Sequence, residues 1–194
     1  MKKPGATELV EHRISGEQVY EGVLLHVHRD TVRLPDGKAS AREYIDHPGA
    51  VAIVPILEGG EILLERQFRY AIGKVMVEIP AGKIDPGEDP LETAKRELLE
   101  ETGYLAREWH HLGTIHPLVA YSNEHIELYL ARSLEERHGA VLDDGEFLET
   151  FLLPLAEAVE WVRDGRITDS KTMIGLLWAE KLVARAWPPP SGAA

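Results

Sequence analysis

Arg96, Glu97, Glu100 and Glu101 crowd into two turns of chain, with Glu88 a short way ahead of them. On a helix, Glu97 and Glu101 would lie four apart and share one face, while Arg96 and Glu100, at the same spacing, could pair. Like charges at that spacing repel by about a few tenths of a kcal/mol. A hard divalent cation converts the repulsion into coordination, and oxygen-rich, cysteine-free donors suit magnesium or manganese. The same residues on an arbitrary helix would read as a solvated acidic face with ordinary Arg–Glu pairs. The surrounding elements therefore decide which chemistry is plausible.

The helix has clear predicted boundaries. Asp89 is a good N-cap, Pro90 suits the first helical position, Glu92 can complete a capping box, and Gly103 can end the helix after Thr102. Leu91, Ala94 and Leu98 form an apolar stripe at helical spacing. Upstream, Ala50 to Leu57 reads as a buried strand, Glu58-Gly59-Gly60-Glu61 as a hairpin turn and Ile62 to Arg66 as the partner strand. Val75 to Ile79 is a further short strand. Downstream, Leu112 to Ile115, Ile126 to Ala131 and Glu149 to Leu153 are strand candidates. Pro154 to Asp164 and Thr172 to Ala186 are amphipathic helices, the first stopped by Gly165. Ahead of all these, Val19 to Arg29, Thr31 to Leu34 and Ala41 to Ile45 read as extended, with Pro35-Asp36-Gly37-Lys38 as a turn. Interspersed helices around many strands predict an α/β class with a mixed sheet, plus a small N-terminal antiparallel β unit. The expected division is 1–48 for that unit, 49–187 for the main domain and 188–194 for a flexible tail.

Composition bounds the function. Hydrophobic residues make up 44% and charged residues 28% of 194, as in a soluble folded chain. The formal net charge of −12 argues against nucleic acid and anionic membrane surfaces. It leaves room for an anionic substrate, because bound divalent cations reverse the local sign of a carboxylate cluster. The absence of cysteine removes disulfides, thiolate zinc sites and thiol catalysis. No apolar run suits a signal peptide or a membrane span, so a cytoplasmic location is expected. His26-x-His28 and His110-His111 lack a further ligand at a known spacing, so zinc is not expected. Trp161 and Trp178, on predicted helices, are expected to pack.

The full pattern is Gly82-x5-Glu88-x7-Arg96-Glu97-Leu98-x-Glu100-Glu101-x-Gly103. It resembles the Nudix box of the Nudix hydrolases at every fixed charged and glycine position, with Tyr104 where the family usually has an aliphatic residue. The resemblance covers about Gly49 to Ala186 and implies a Nudix-type α/β/α sandwich that hydrolyses a diphosphate bond with magnesium, manganese being possible. It implies that Glu97, Glu101 and the backbone carbonyl of Ala81 hold the metal, that Glu100 is a third nearby carboxylate, and that Arg96 and Glu88 orient the others.

Features outside the box resemble the ADP-ribose and nucleoside-diphosphate-sugar branch. In Arg66-Gln67-Phe68-Arg69-Tyr70, Arg69 matches an arginine that reaches the substrate phosphates; Glu78-Ile79-Pro80-Ala81-Gly82 matches the lead-in to the box, and Glu78 is expected to contact substrate. In the acidic loop Val141 to Glu146, Glu146 is the expected general base and Asp144 the alternative. Tyr121-Ser122-Asn123-Glu124 also resembles the branch, although Val119 stands where many members carry proline, with Pro117 two residues earlier. Members exchange N-terminal β units across a homodimer, which would let Tyr20 and Arg42 hold the base or terminal ribose. The reading is hydrolysis of ADP-ribose or a related nucleotide sugar. The alternatives are a dinucleoside polyphosphate or nucleoside triphosphate as substrate and, more remotely, a noncatalytic nucleotide-sugar sensor.

Overall fold

The computed structural model of the chain describes residues 9–137, 139–142, 145 and 147–187. Glu146, Asp144 and the tail 188–194 lie outside them. Two compact units are present. One holds the described residues up to His47 together with Leu118–Glu124; the other holds Pro48–Pro117 and the described residues from His125 onward.

The first unit is an antiparallel sheet of β1 (His12–Glu21), β2 (His26–Arg33) and β3 (Ala39–Asp46), in that order. The predicted turn between β2 and β3 forms, with Gly37 at φ 86° and the Asp36 carboxylate accepting the Lys38 amide at 3.0 Å. The expectation of one strand over Val19 to Arg29 is corrected. The chain reverses at Gly22–Leu25, where the Gly22 amide donates to the Leu25 carbonyl at 2.9 Å. The turn is built from Val23, Leu24 and Leu25, apolar types that read as strand, and all three are exposed. Leu118–Glu124 returns beside β3, with the Ile45 amide donating to the Tyr121 carbonyl at 2.8 Å and the His47 amide to the Asn123 side chain at 2.8 Å.

The second unit has two sheets. Strands β4 (Ala50–Pro55), β7 (Ala81–Lys83), β8 (Tyr104–Ile115) and β9 (Ile126–Glu136) form a mixed sheet in the order β7-β4-β9-β8, with β4 parallel to β9. Strands β5 (Glu61–Arg69), β6 (Lys74–Glu78) and β10 (Leu148–Pro154) form an antiparallel sheet in the order β10-β5-β6. Side-chain alternation along β4 and β9 builds two cores. Val51, Ile53, Tyr129 and Ala131 face one way, with Ala94 and Leu98 of helix α1 (Pro90–Thr102). Ala52, Val54, Leu128 and Leu130 face the other, with Ala158 of α2 (Leu155–Arg163) and Leu176 and Ala179 of α3 (Ser170–Val183). This is the expected α/β/α layering. Trp161 and Trp178 pack against the second core.

Several boundaries differ from the sequence reading for local reasons. Strand β8 starts at Tyr104 rather than Leu112; it is an edge strand, and its polar Arg107, Glu108, His110 and His111 hid it. Pro154 ends β10, so α2 begins at Leu155. Helix α3 begins at Ser170 because Asp169 caps it, accepting the Thr172 amide at 3.0 Å. Strand β5 extends to Arg69, which is therefore a strand residue. His28 stacks on Tyr44 at 5.5 Å and His26 lies 3.5 Å from the Gln18 amide group. Among the described residues no helix is long and apolar enough to cross a membrane.

Candidate active site

Helix α1 is set by its ends and its buried stripe. The Asp89 carboxylate accepts the Leu91 amide at 2.9 Å, Pro90 occupies the first turn, and Gly103, at φ 76°, closes the helix through a 2.8 Å bond from its amide to the Leu99 carbonyl. The expected capping box does not form: Glu92 pairs with Lys95 at 2.7 Å instead. Ala94 and Leu98 are fully buried. That fixes the rotation of the helix and brings Glu97 and Glu101, one turn apart, beside β7.

Strand β7 receives them closely. Glu101 is 4% exposed and accepts the Ala81 amide at 3.0 Å. Glu97 presses on Gly82: a Cβ at Gly82 would sit 1.9 Å from Glu97 Oε1. Only a glycine leaves the carboxylate in this place. Arg96 spans the acidic residues. Its Nε and Nη2 each donate to Glu88 at 3.1 Å, and Nη1 donates to Glu97 at 2.9 Å and to Glu100 at 3.0 Å. The Arg96 hydrogen bonds, with that of the Thr93 hydroxyl at 2.8 Å, hold the Glu88 carboxyl at about 2. In return Glu88, followed by Glu97 and Glu100, pushes the Arg96 pKa up.

This donor set suits a hard divalent cation. It is made of carboxylate oxygens with no sulfur, one guanidinium is shared by three carboxylates, and the Gly82 cradle admits the Glu97 head. As placed, the side chains satisfy one another. Among the described residues no three acidic or imidazole groups converge as a metal cage.

A second cluster lies at the other end of the same lead-in. Arg69, at the end of β5, donates from Nε and Nη2 to the two oxygens of Glu78 at 2.7 and 2.8 Å. Glu78, expected to meet substrate, is 2% exposed and faces Arg69 and Lys171. Burial pushes its pKa up, but the Arg69 hydrogen bonds and the Lys171 charge outweigh burial and hold it at about 2. Lys171 also pairs with Asp169 at 3.1 Å, and Thr172 accepts the Ile79 amide at 2.9 Å. The sequence reading did not single out Asp169, Lys171 or Thr172; an aspartate N-cap ahead of Ser-Lys-Thr was the available signal.

Tyr20 and Arg42 lie in the first unit and are not brought together. Tyr20 is opposite Val27 in the row that contains Ile45, three residues along β3 from Arg42. The Tyr20 ring covers Gly22, and Arg42 pairs with Glu11 at 2.9 Å. Glu146 and Asp144 fall outside the described residues. The loop that leads to them is tied to α1, with the Val141 amide donating to the Glu100 backbone carbonyl at 2.7 Å. A cavity of about 650 Å³ opens elsewhere in the second unit, lined by Ile56, Leu57, Arg132, Leu155 and Val183 and by none of the residues above.

Residues 46–174 match the NUDIX domain, and residues 11–45 match the nucleoside diphosphate sugar hydrolase N-terminal domain. The chain belongs to the Nudix family. More narrowly, it is a Nudix hydrolase with homologues named ADP-ribose pyrophosphatase. The one from Bacillus subtilis (strain 168) is 37% identical over 89% of this chain and 94% of its own length. The one from Mycobacterium tuberculosis (strain ATCC 25618 / H37Rv) is 37% identical over 84% of this chain and 80% of its own. A protein named methanol dehydrogenase activator from Bacillus methanolicus is 40% identical over 88% and 92%. The fold resembles the crystal structure of an ADP compounds hydrolase, with a TM-score of 0.79 at 23% identity, covering 91% of this chain and 95% of that one.

Proposed function

We propose that the chain hydrolyses the diphosphate of ADP-ribose, or of a closely related nucleoside-diphosphate sugar, in a magnesium-dependent reaction. With ADP-ribose, water adds to a phosphorus, the bridging P–O bond breaks, and AMP and ribose 5-phosphate leave. The observation that carries this reading is the placement of Glu97 against Gly82 and of Glu101 on the Ala81 amide, both from one capped helix. Homologues named ADP-ribose pyrophosphatase, similar over most of their length, support the substrate class.

Glu97, Glu101 and the Ala81 carbonyl would hold the metal, with manganese as a substitute and Glu100 nearby. When bound, the metal neutralises phosphate oxygens and acidifies a bound water. Arg96 and Glu88 keep the carboxylates oriented. Arg69 reaches the diphosphate, and two of its five N–H groups are spent on Glu78. The base that takes the water proton is Glu146, with Asp144 as the alternative. The first unit, with exposed Ile14, Val19, Tyr20, Val23 and Leu24, serves a homodimer, and Tyr20 and Arg42 serve the base or terminal ribose. The working location is the cytoplasm.

The test is a substrate panel with magnesium on Glu97→Gln, Glu101→Gln and the parent. Each variant should lose turnover of ADP-ribose by about two orders of magnitude or more while keeping its fold by circular dichroism. Full activity in both would remove the metal assignment. Release of inorganic diphosphate from triphosphates, with ADP-ribose untouched, would remove the substrate reading.

A further inference from the structure

Lys171 lies outside the box and far from it in sequence, yet it is only 8% exposed. An ammonium loses hydration on burial and is retained only where partners replace the water. Its partners are Glu78 Oε2 and Asp169 Oδ2. Glu78 gives the same Oε2, and also Oε1, to Arg69. One buried carboxylate therefore joins the lysine to the arginine. The Arg69 side chain is 42% exposed, and its Nη1 hydrogens and the second on Nη2 have no partner among the described residues.

Three carboxylates act on that guanidinium. Glu78 and Glu65 are directly opposite each other on β6 and β5, both almost fully buried, and Asp169 adds a third charge. With Arg69 alone those three carboxylates leave a net charge of −2, which repels an incoming phosphate; a second cation brings it to −1. Lys171 supplies that cation through Glu78 Oε2, the oxygen that accepts from Arg69 Nη2.

We propose that Lys171 is a positioning residue for substrate binding: through Glu78 it fixes the plane of Arg69 and offsets the buried carboxylates, so that the open N–H groups of Arg69 can take an anionic diphosphate. The inference rests on the reading that Arg69 meets the diphosphate. Lys171 pairs with Glu78 and Asp169, not with the carboxylates assigned to the metal. Its loss should therefore appear in substrate binding, not in the chemical step.

The experiment measures kcat and KM for ADP-ribose at saturating magnesium on the full chain. Lys171→Met and Lys171→Gln should each raise KM about tenfold with kcat within about threefold, while Lys171→Arg keeps KM near the parent value. Adding Lys171→Met to Glu78→Gln should change KM by less than about twofold, because the charge it acts through is gone. A residue that only supported the fold would lower kcat and thermal stability and would act alike in both backgrounds. If Lys171→Met does not fold, Lys171→Gln, which keeps a donor without the charge, carries both comparisons. A parent-like KM in the lysine variants, with KM raised in Arg69→Gln, overturns the proposal alone, as does an equal rise in the Glu78→Gln background. An unchanged KM in Arg69→Gln overturns the assignment of Arg69 and the proposal with it.

Discussion

Replacing Gly82 by alanine adds one methyl group at the point where α1 meets β7. That carbon would lie 1.9 Å from Glu97 Oε1, 2.0 Å from Cδ and 2.5 Å from Oε2. Carbon and oxygen at contact stand about 3.5 Å apart, so the carboxylate must withdraw by more than about 1 Å. Gly82 does not need a left-handed backbone, so alanine costs little there. The obstructing atoms are the far end of a flexible side chain, which can swing away, so the fold should survive with a melting temperature within about 3 °C of the parent. Activity should not. A displacement of about 1 Å in a positioning group costs about a hundredfold, or close to 3 kcal/mol of barrier. Steady-state kinetics with ADP-ribose across a magnesium titration would show a fall in kcat and a higher magnesium requirement. An enzyme with parent-like kcat and magnesium dependence would refute the argument that Glu97 must occupy this place.

Arg96→Ala removes the guanidinium shared by Glu88, Glu97 and Glu100 and should cost about 10- to 100-fold in kcat/KM at limiting magnesium, as loss of a ligand-orienting residue does. Glu78 shapes the acid limb of stability. Its carboxyl is lowered from 4.5 to about 2, so its contribution is fully present above about pH 4.5 and is lost as pH falls through about 2. Glu78→Gln should flatten urea-unfolding stability in that window by no more than about 3 kcal/mol; an unchanged slope would contradict the burial and pairing of Glu78. Leu24→Asp places a charge on the exposed apolar turn between β1 and β2 and should halve the mass found by light scattering if that unit serves a homodimer. Equal masses for parent and variant would refute this role for the turn.

The box was legible because its information is local. Asp89, Pro90 and Gly103 mark the helix ends, and the Ala94–Leu98 stripe sets which side Glu97 and Glu101 take. The cluster around Glu78 was not legible, since Lys171 lies 93 residues away and only the packing of α3 against the sheet brings it close. Its residues fit a bland helix start: an N-cap, then polar residues. The turn at Gly22–Leu25 was missed for the opposite reason, as its residues carry strand propensity but sit exposed at a reversal. Polar edge strands such as β8 lack the one-sided apolar alternation by which strands are read.

The two clusters meet on one stretch of backbone, Ile79 to Gly82. The Ile79 amide is taken by Thr172 of α3, Pro80 has no amide hydrogen, and the Ala81 amide is taken by Glu101 of α1. The Pro80 carbonyl accepts the Ile53 amide of β4 at 2.8 Å, and Gly82 pairs with Val51 on the same strand. The two amide donors of Ile79–Ala81 are thus taken by α3 and α1, and β4 holds the segment from a third side. Such a segment has little freedom to shift, which is the condition a backbone carbonyl must meet to serve as a reliable ligand. It also means that Glu101 carries two duties. Glu101→Gln keeps an oxygen that can accept the Ala81 amide while losing the charge, whereas Glu101→Ala loses both and leaves a half-buried amide unpaired, at a further cost of about 1–3 kcal/mol. If the segment is held as described, the alanine variant should be less stable than the glutamine variant by about that amount in urea unfolding, although both should be inactive. Equal stabilities would mean that the Ala81 amide is satisfied without Glu101.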